Sequence, residues 1–535
     1  MADTLPSPGP IKESAWAPLR IRAFRALWLA QLGSLIGTWM QTVGAQWLLV
    51  DAPGAEALVA MVQVAAMSPA LLLALPAGAL ADILDRRRLL ISVQVFQTCV
   101  GVALSALTLV GAMTPALLLT FTFLLGCGVA LTLPAYQALI LELVPRRQIR
   151  SAAALGGVAV NGARAVGPAL AGLMIAQVGP GAVFAVNAAS YVVLALVLLG
   201  LRRPRRATGE APERFTSAIR AGQRYVRNSP VVRRLLLRVA LFTLPGAALW
   251  ALLPLVASRL LGVGSTGYGV LLAALGAGAV MGADLLPRLG TRLSSNTLLL
   301  ISGVAFSASL LACLLVRHTA VLAVLLIPAG MAWLAVLMTV TAALQVFLPV
   351  WVRARGLSTF NIVFFGAQAI GALVWGLFAQ WLGLVAALVA AATVMAISTA
   401  TLGKWPLHNP SGLDRNLAVF LPDPVLTHEP DAETGPVLVT LTYTVEEDQV
   451  PAFLDAMLAV RRSRLRTGAD SCDLYQDGMD PSQFVQVSEY RTWGEHLRQH
   501  SGRMTGADQA LYEAVKALAT GPPEVRHMFV PRRRP

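Results

Sequence analysis

The chain has 535 residues, 56% of them hydrophobic and only 13% charged, where an average soluble domain is roughly one quarter charged. That balance excludes an ordinary water-soluble enzyme and a disordered chain, and it points to a membrane protein with many spans. The formal net charge of +14 is dispersed between apolar stretches, so it reads as membrane topology and not as a nucleic-acid surface.

Residues 1–20 are polar and Pro-rich and show no cleavable signal peptide, so the first apolar run, after a cytoplasmic N-terminal segment over 1–24, is expected to stay as a span. A hydrocarbon layer about 30 Å thick takes roughly 20 apolar residues per helix. Stretches of that kind fall at 25–50, 57–81, 89–112, 115–143, 151–178 and 181–201, then at 235–259, 266–287, 294–316, 319–347, 357–382 and 384–405. The expected architecture is therefore an all-α membrane protein of twelve helices: a six-helix half over 25–201, a basic linker over 202–234, and a second half over 235–405. A Pro-rich linker follows at 406–432, and then a small α+β domain at 433–535. Cys99, Cys127 and Cys313 lie inside apolar runs and Cys472 stands alone in the tail, so neither a disulfide framework nor a metal spacing can be drawn.

Lys and Arg set the orientation. With the N-terminus inside, Arg86, Arg87, Arg88, Arg146, Arg147, Arg150, Arg288, Arg292, Arg353, Arg355 and the linker's Arg202, Arg203, Arg205 and Arg206 all face the cytoplasm. The outer loops then keep only Arg259 and Arg317, and an even number of spans returns the tail to the cytoplasmic side. The halves also repeat in the same direction. A shift of 204 positions aligns Gly78 with Gly282, Pro145 with Pro349, Gly167 with Gly371, Gly172 with Gly376 and Gly179 with Gly383. Parallel six-helix repeats imply a transporter whose site lies at the midplane between them.

The run Gly78-Ala79-Leu80-Ala81-Asp82-Ile83-Leu84-Asp85-Arg86-Arg87-Arg88 resembles the signature loop of the major facilitator superfamily, with Ile83 at an often basic position and Asp85 where a glycine is common. The resemblance implies that Asp82 and Arg86, with Glu142 as a third member, form a conformational latch between the halves. The segment Ala163-Arg164-Ala165-Val166-Gly167-Pro168-Ala169-Leu170-Ala171-Gly172 resembles the superfamily's antiporter motif, with alanine at two glycine places. That motif is associated with exporters. Together with Phe24-Arg25-Ala26-Leu27-Trp28-Leu29-Ala30-Gln31, these stretches look like the bacterial branch of transmembrane secretion effectors that includes the enterobactin exporter. The resemblance covers roughly residues 20–405. It implies export of a small molecule, proton-coupled and antiporting, and names no cargo.

Of the 28 carboxylates, 18 follow residue 406, two precede the first span and two lie in the linker. The six that remain are Asp51, Glu56, Asp82, Asp85, Glu142 and Asp284, all near a membrane interface. The candidates for proton coupling are Asp51, Glu56 and Glu142. One charge is deep: Arg164 lies about thirteen residues, or roughly 20 Å, into its helix. An arginine there is expected to face a polar cavity or a partner. Gln41, Gln46, Trp47, Asn161, Asn361 and Gln368 are its expected companions at a cargo site, with Asn187, Tyr191 and Gln345 as further polar neighbours.

In the tail, alternation over Val437–Tyr443 predicts a strand, followed by a helix at 448–466, strands at 471–476 and 483–490, helices at 492–500 and 506–519, and a strand near 525–530. This βαββαβ order fits a ferredoxin-like unit. With Glu489-Tyr490-Arg491-Thr492-Trp493, His496 and His500, it looks like the small barrel of antibiotic-biosynthesis monooxygenases. Such barrels commonly pair, so a dimerising or regulatory module is the favoured reading and a fused monooxygenase the alternative. His496 and His500 share one helix face, and no third ligand is evident, so neither a metal nor a cofactor is expected. The chain as a whole is expected to be a multi-pass transporter of a bacterial inner or plasma membrane, not an enzyme. It would carry a small amphipathic cargo such as a siderophore, antibiotic or drug, with both termini cytoplasmic. A proton-coupled importer is the alternative within transport.

Overall fold

The computed structural model describes residues 14–201, 215–407, 414, 416–422, 424 and 426–530. The linker arginines Arg202, Arg203, Arg205 and Arg206 lie outside the described residues. The chain divides into two compact units. The first comprises 1–209, 239–339 and 361–406; the second comprises 210–238, 340–360 and 407–535.

The first unit is a bundle of long apolar helices. Its N-terminal part holds α1 (Arg22–Leu48), α2 (Ala55–Ile83), α3 (Arg86–Leu109), α4 (Pro115–Leu143), α5 (Ile149–Val178) and α6 (Pro180–Gly200). After α7 (Phe215–Arg227), the bundle takes in most of α8 (Pro230–Leu255), α11 (Thr319–Phe347) and α12 (Val350–Leu382), and all of α9 (Ser265–Gly290), α10 (Ser295–Leu315) and α13 (Leu384–Ala400). Among the described residues, ten helices are long and apolar enough to cross a membrane. The other two, α1 and α13, are the first and last of the stretches expected from sequence. With 17 residues, α13 is shorter than those ten.

The helix boundaries have local causes. Thr114 and Ser294 accept hydrogen bonds from Leu117 N and Thr297 N and so cap α4 and α10. Asp85, the departure from the signature's glycine, accepts from Arg88 N and caps α3. Arg87 donates to the carbonyls of Leu198 and Leu199 at 2.6 Å each, covering the C-terminal end of α6. The breaks after α5 and after α12 fall on Gly179 (φ 81°, ψ 170°) and Gly383 (φ 89°, ψ 158°). Only glycine adopts that backbone region without strain, and these two stand 204 positions apart.

The second unit is built on a four-stranded antiparallel sheet of β1 (Val437–Thr444), β2 (Ser471–Gln476), β3 (Gln483–Tyr490) and β4 (Glu524–Phe529), in the order β2-β3-β1-β4. The helices α14 (Val450–Thr467), α15 (Trp493–Arg498) and α16 (Gly506–Ala517) complete a β-α-β-β-α-β order, with a π-helical turn Gln499–Arg503 after α15. Alternate residues of β1 point inward, placing Val437, Val439, Leu441 and Tyr443 in a core with Phe453, Phe484, Trp493 and Met504. The structure adds two features to the sequence reading. First, residues 416–422, expected as linker, pack on the domain: Ala418 N donates to Met504 O at 3.1 Å, and Phe420 meets Tyr512 at 5.3 Å between ring centroids. Second, the basic linker contains α7, whose buried Ala221 and Tyr225 stand one turn apart. Arg224, on the same helix, pairs with Asp470 and Glu495, each at 2.5 Å.

Candidate functional site

Within the bundle lies a cavity of about 310 Å³, in the range of small-molecule sites. It is lined by Thr38, Trp39, Gln41 and Thr42 of α1, Gln63 and Met67 of α2, Thr122 and Gly126 of α4, Val160 and Arg164 of α5, and Tyr191 of α6. From the second half come Trp250 of α8, Trp333 of α11 and Phe364, Phe365 and Gln368 of α12. The aromatic side forms a continuous wall. Trp250 meets Trp39 at 6.1 Å and Trp333 at 5.5 Å between ring centroids, and Trp333 meets Phe364 at 6.0 Å.

Arg164 is the charged member of the lining among the described residues. Fifteen residues past the first residue of α5, it stands about 22 Å along the helix. Its guanidinium lies 5.3 Å from the ring of Trp39 and 5.7 Å from that of Trp250. Two indole faces attract a cation, and the Nε finds no hydrogen-bond partner. Pro168, four residues on, removes the N–H that would serve the Arg164 carbonyl. The helix α9 passes against that point, where a Cβ on Gly276 would come within 2.6 Å of the Arg164 carbonyl oxygen.

The motif glycines allow this packing. A Cβ on Gly167 would stand 2.6 Å from Trp39 Cβ, and one on Gly172 would stand 2.6 Å from the Ser265 carbonyl oxygen. Thus Gly167 admits α1 on one side of α5, Gly172 admits α9 on the other, and Ser265 Oγ seals the second contact by donating to Gly172 O at 3.1 Å. Close approach of this kind is what drives helix association in lipid, where apolar contact alone gains little.

Three of the expected cargo residues, Gln41, Arg164 and Gln368, line the cavity. Gln41 is fixed from behind: Asn187 donates its amide to the Gln41 Oε1 and, at 3.0 Å, to the Tyr191 hydroxyl. Gln46 lies outside the lining and acts on it. Its amide donates to Trp250 O at 3.2 Å while its Oε1 accepts from the Tyr268 hydroxyl at 2.6 Å, so one buried side chain joins α1, α8 and α9. Trp47 stacks on Tyr268 at 5.9 Å. Asn161 bonds its own helix at Gly157 O, and Asn361 and Gln345 are exposed; none of the three is in the lining.

The candidate carboxylates also lie outside it. Glu56 pairs with Arg259, Glu142 pairs with Arg86, and Asp51 is exposed. Gly78 and Asp82 belong to α2, and their side-chain environments lie outside the described residues. In the second unit, the Nε2 of His496 is 3.1 Å from the Nε2 of His527 and 3.3 Å from that of His500. Burial, followed by the neighbouring His500 and the Arg464 charge, pushes His496 down to about 2. Burial and then Arg464 also lower His500 and His527. Among the described residues, no group of three or more His, Cys, Asp or Glu side chains is arranged to hold a metal ion.

Trp39, Trp250, Trp333, Phe364 and Phe365 were missed by sequence reasoning, because an aromatic residue in an apolar run carries no mark of which way it faces. A signal was nonetheless available. Gly162-Ala163-Arg164-Ala165-Val166-Gly167 matches Gly366-Ala367-Gln368-Ala369-Ile370-Gly371 at the same shift of 204. That block aligns Arg164 with Gln368 in sequence, and both line the cavity.

The family profile described as transmembrane secretion effector matches residues 13–535. The chain is 23% identical over 277 residues to the staphyloferrin A transporter of Staphylococcus aureus, across 52% of this chain and 70% of that protein. It is 26% identical over 218 residues to an uncharacterised MFS-type transporter of Bacillus subtilis, across 39% of this chain and about half (51%) of that protein. Among solved structures, a bacterial homologue of the human lysosomal transporter Spinster, inward-facing and unoccupied, superposes with a TM-score of 0.57 at 16% identity, covering 72% of this chain and 96% of that one. A D-xylose–proton symporter does so with a TM-score of 0.56 at 13% identity, over 72% and 98%. At these identities the structural likeness is one of fold.

Proposed function

The chain belongs to the transmembrane secretion effector family of major facilitator transporters, and from that premise we propose that it exports a small amphipathic molecule by alternating access. That it is a multi-pass membrane protein and a secondary transporter follows from the family; direction and cargo are our reading. In this reading there are twelve spans, with α1 and α13 added to the ten helices that meet both length and apolarity, and both termini are cytoplasmic.

The observation that carries the reading is the cavity's composition by halves. Arg164 and Gln368, aligned by the sequence repeat, both line one chamber with aromatic walls, so rocking one half against the other would expose the same residues to each side in turn. Export is favoured by the Gly167-Pro168-Gly172 segment, which makes the close contacts of α5 with α1 and α9. Asp82, Arg86 and Glu142 are assigned to the latch, supported by the pairing of Arg86 with Glu142. The family resemblance implies proton exchange through Asp51, Glu56 or Glu142, whereas the described cavity lining, with a cation and no carboxylate, favours the membrane potential acting on an anionic cargo. The tail is assigned a dimerising or regulatory role; its likeness to monooxygenase barrels remains the basis of the alternative, a fused enzyme acting on the cargo.

The test is vesicle sidedness. Inside-out vesicles carrying the chain, offered staphyloferrin A (the cargo in one relative's name) or a neutral macrolide, should accumulate at least one of them several-fold over vesicles without it. Accumulation confined to right-side-out vesicles would establish an importer instead.

A further inference from the structure

Resting on the reading of the cavity as the cargo site, we propose that Arg164 makes it an anion site, selecting flat, mainly apolar organic molecules that carry a carboxylate, sulfonate or comparable negative group. Three observations converge on this. The first is charge. Arg164 is the one ionised side chain among the described lining residues, and the chamber contributes no carboxylate to neutralise it. Guanidinium stays protonated in proteins, so the cavity carries a fixed positive charge in surroundings of low dielectric, where Coulomb interactions are strong.

The second observation is how that charge is held. Trp39 and Trp250 hold the cation at 5.3 and 5.7 Å by their ring faces, which compensates part of its desolvation without cancelling its charge. No ion pair or hydrogen bond to its guanidinium is made among the described residues, and the Nε is an orphan. A planar fork of donors with unused N–H groups matches the paired oxygens of a carboxylate or sulfonate.

The third observation is the rest of the wall. Trp333, Phe364 and Phe365 offer flat apolar surface in the same chamber, and Gln368 adds an amide to its lining. Ligands with an apolar body and one anionic edge satisfy both surfaces. A cationic amphiphile would meet the aromatic wall and be repelled by Arg164.

The experiment uses the full chain in detergent with two near-isosteric probes, a naphthalenesulfonate and its neutral sulfonamide. Wild-type protein should bind the sulfonate at least about tenfold more tightly, a difference of about 1.4 kcal/mol. Arg164→Gln should bring the ratio below about two, Arg164→Lys should leave it between the two values, and Trp333→Leu should weaken both probes alike. Because Arg164→Lys keeps the charge, it tests the assignment even where Arg164→Gln does not fold. Equal binding of the two probes by wild-type protein would overturn the anion site while leaving the cavity reading in place. A sulfonate preference that survives Arg164→Gln would overturn the assignment to Arg164. Failure of both probes to respond to Trp333→Leu would overturn the cavity reading itself.

Discussion

His496 shows how one side chain ties the tail's stability to pH. It lies among His500, His527, Tyr490 and Trp493, with its Nε2 shared between two other imidazoles. Its folded-state value of about 2 lies far below the ordinary 6.5. The unfolded chain therefore takes up a proton between those values while the folded domain does not, and stability rises with pH across that window. Lowering the pH from about 7 to about 5 should then destabilise the tail, with His496 contributing up to about 1.4 kcal/mol per pH unit below 6.5. His500 and His527, also lowered, act in the same direction. Hydrogen exchange on the full chain should show residues 493–503 losing protection on acidification, and His496→Gln should flatten the dependence. Unchanged protection of that segment over the range would mean that the trio accommodates a proton without cost.

Among the elements, α7 is the one whose role was hidden in the sequence, where it reads as part of a basic linker. Its identity rests on Ala221 and Tyr225, too short an apolar stripe to stand out beside the arginines around it. Its fixing depends on residues more than 120 positions away. Arg224 reaches Asp470 and Glu495, Tyr225 packs edge-on to Trp351 at 5.8 Å, and Arg466 lies 5.7 Å from the Tyr225 ring. Arg224→Ala should free α7 from the tail at a cost of about 1–3 kcal/mol, the range for losing a charged hydrogen-bond partner, because Glu495 keeps Arg503 at 3.6 Å. Protease cleavage within 215–230 should rise in that variant; cleavage at the wild-type rate would mean that the ion pairs do not hold the helix. The bundle helices were far more legible, since an apolar run of the right length admits few other structures. Their bends and contacts were legible at Gly167, Gly172 and Gly179, whose spacing repeats. The cavity was half legible. Arg164 declared itself by its depth, and Gln41 and Gln368 by polarity. Asn161 and Asn361, equally polar, point elsewhere, because a helix turns 100° per residue and polarity does not tell which face meets a neighbour.

At the scale of the whole molecule, the arrangement of charge bears on what drives transport. The cavity's described lining holds a permanent cation and no carboxylate, while Glu56 and Glu142 are engaged with Arg259 and Arg86. A proton antiporter needs a titratable group that both sides reach in turn, and none of these residues stands in the chamber. An anionic cargo supplies its own driving force. In a cell with a negative interior, each exported negative charge gains about 2.3 kcal/mol per 100 mV, enough for roughly fiftyfold accumulation outside. We therefore expect transport to follow the membrane potential. In proteoliposomes, a potassium diffusion potential positive inside should drive uptake of the naphthalenesulfonate, whose charge does not change with pH, and reversing the potential should expel it. A pH gradient imposed with the potential clamped at zero should alter uptake by less than about twofold, as expected where no cavity group titrates. The opposite result, uptake that follows the pH gradient at zero potential, would return coupling to Asp51, Glu56 or Glu142. The variants Asp51→Asn, Glu56→Gln and Glu142→Gln would then show which of them carries the proton, since only the coupling residue's neutral variant should abolish the pH-driven component.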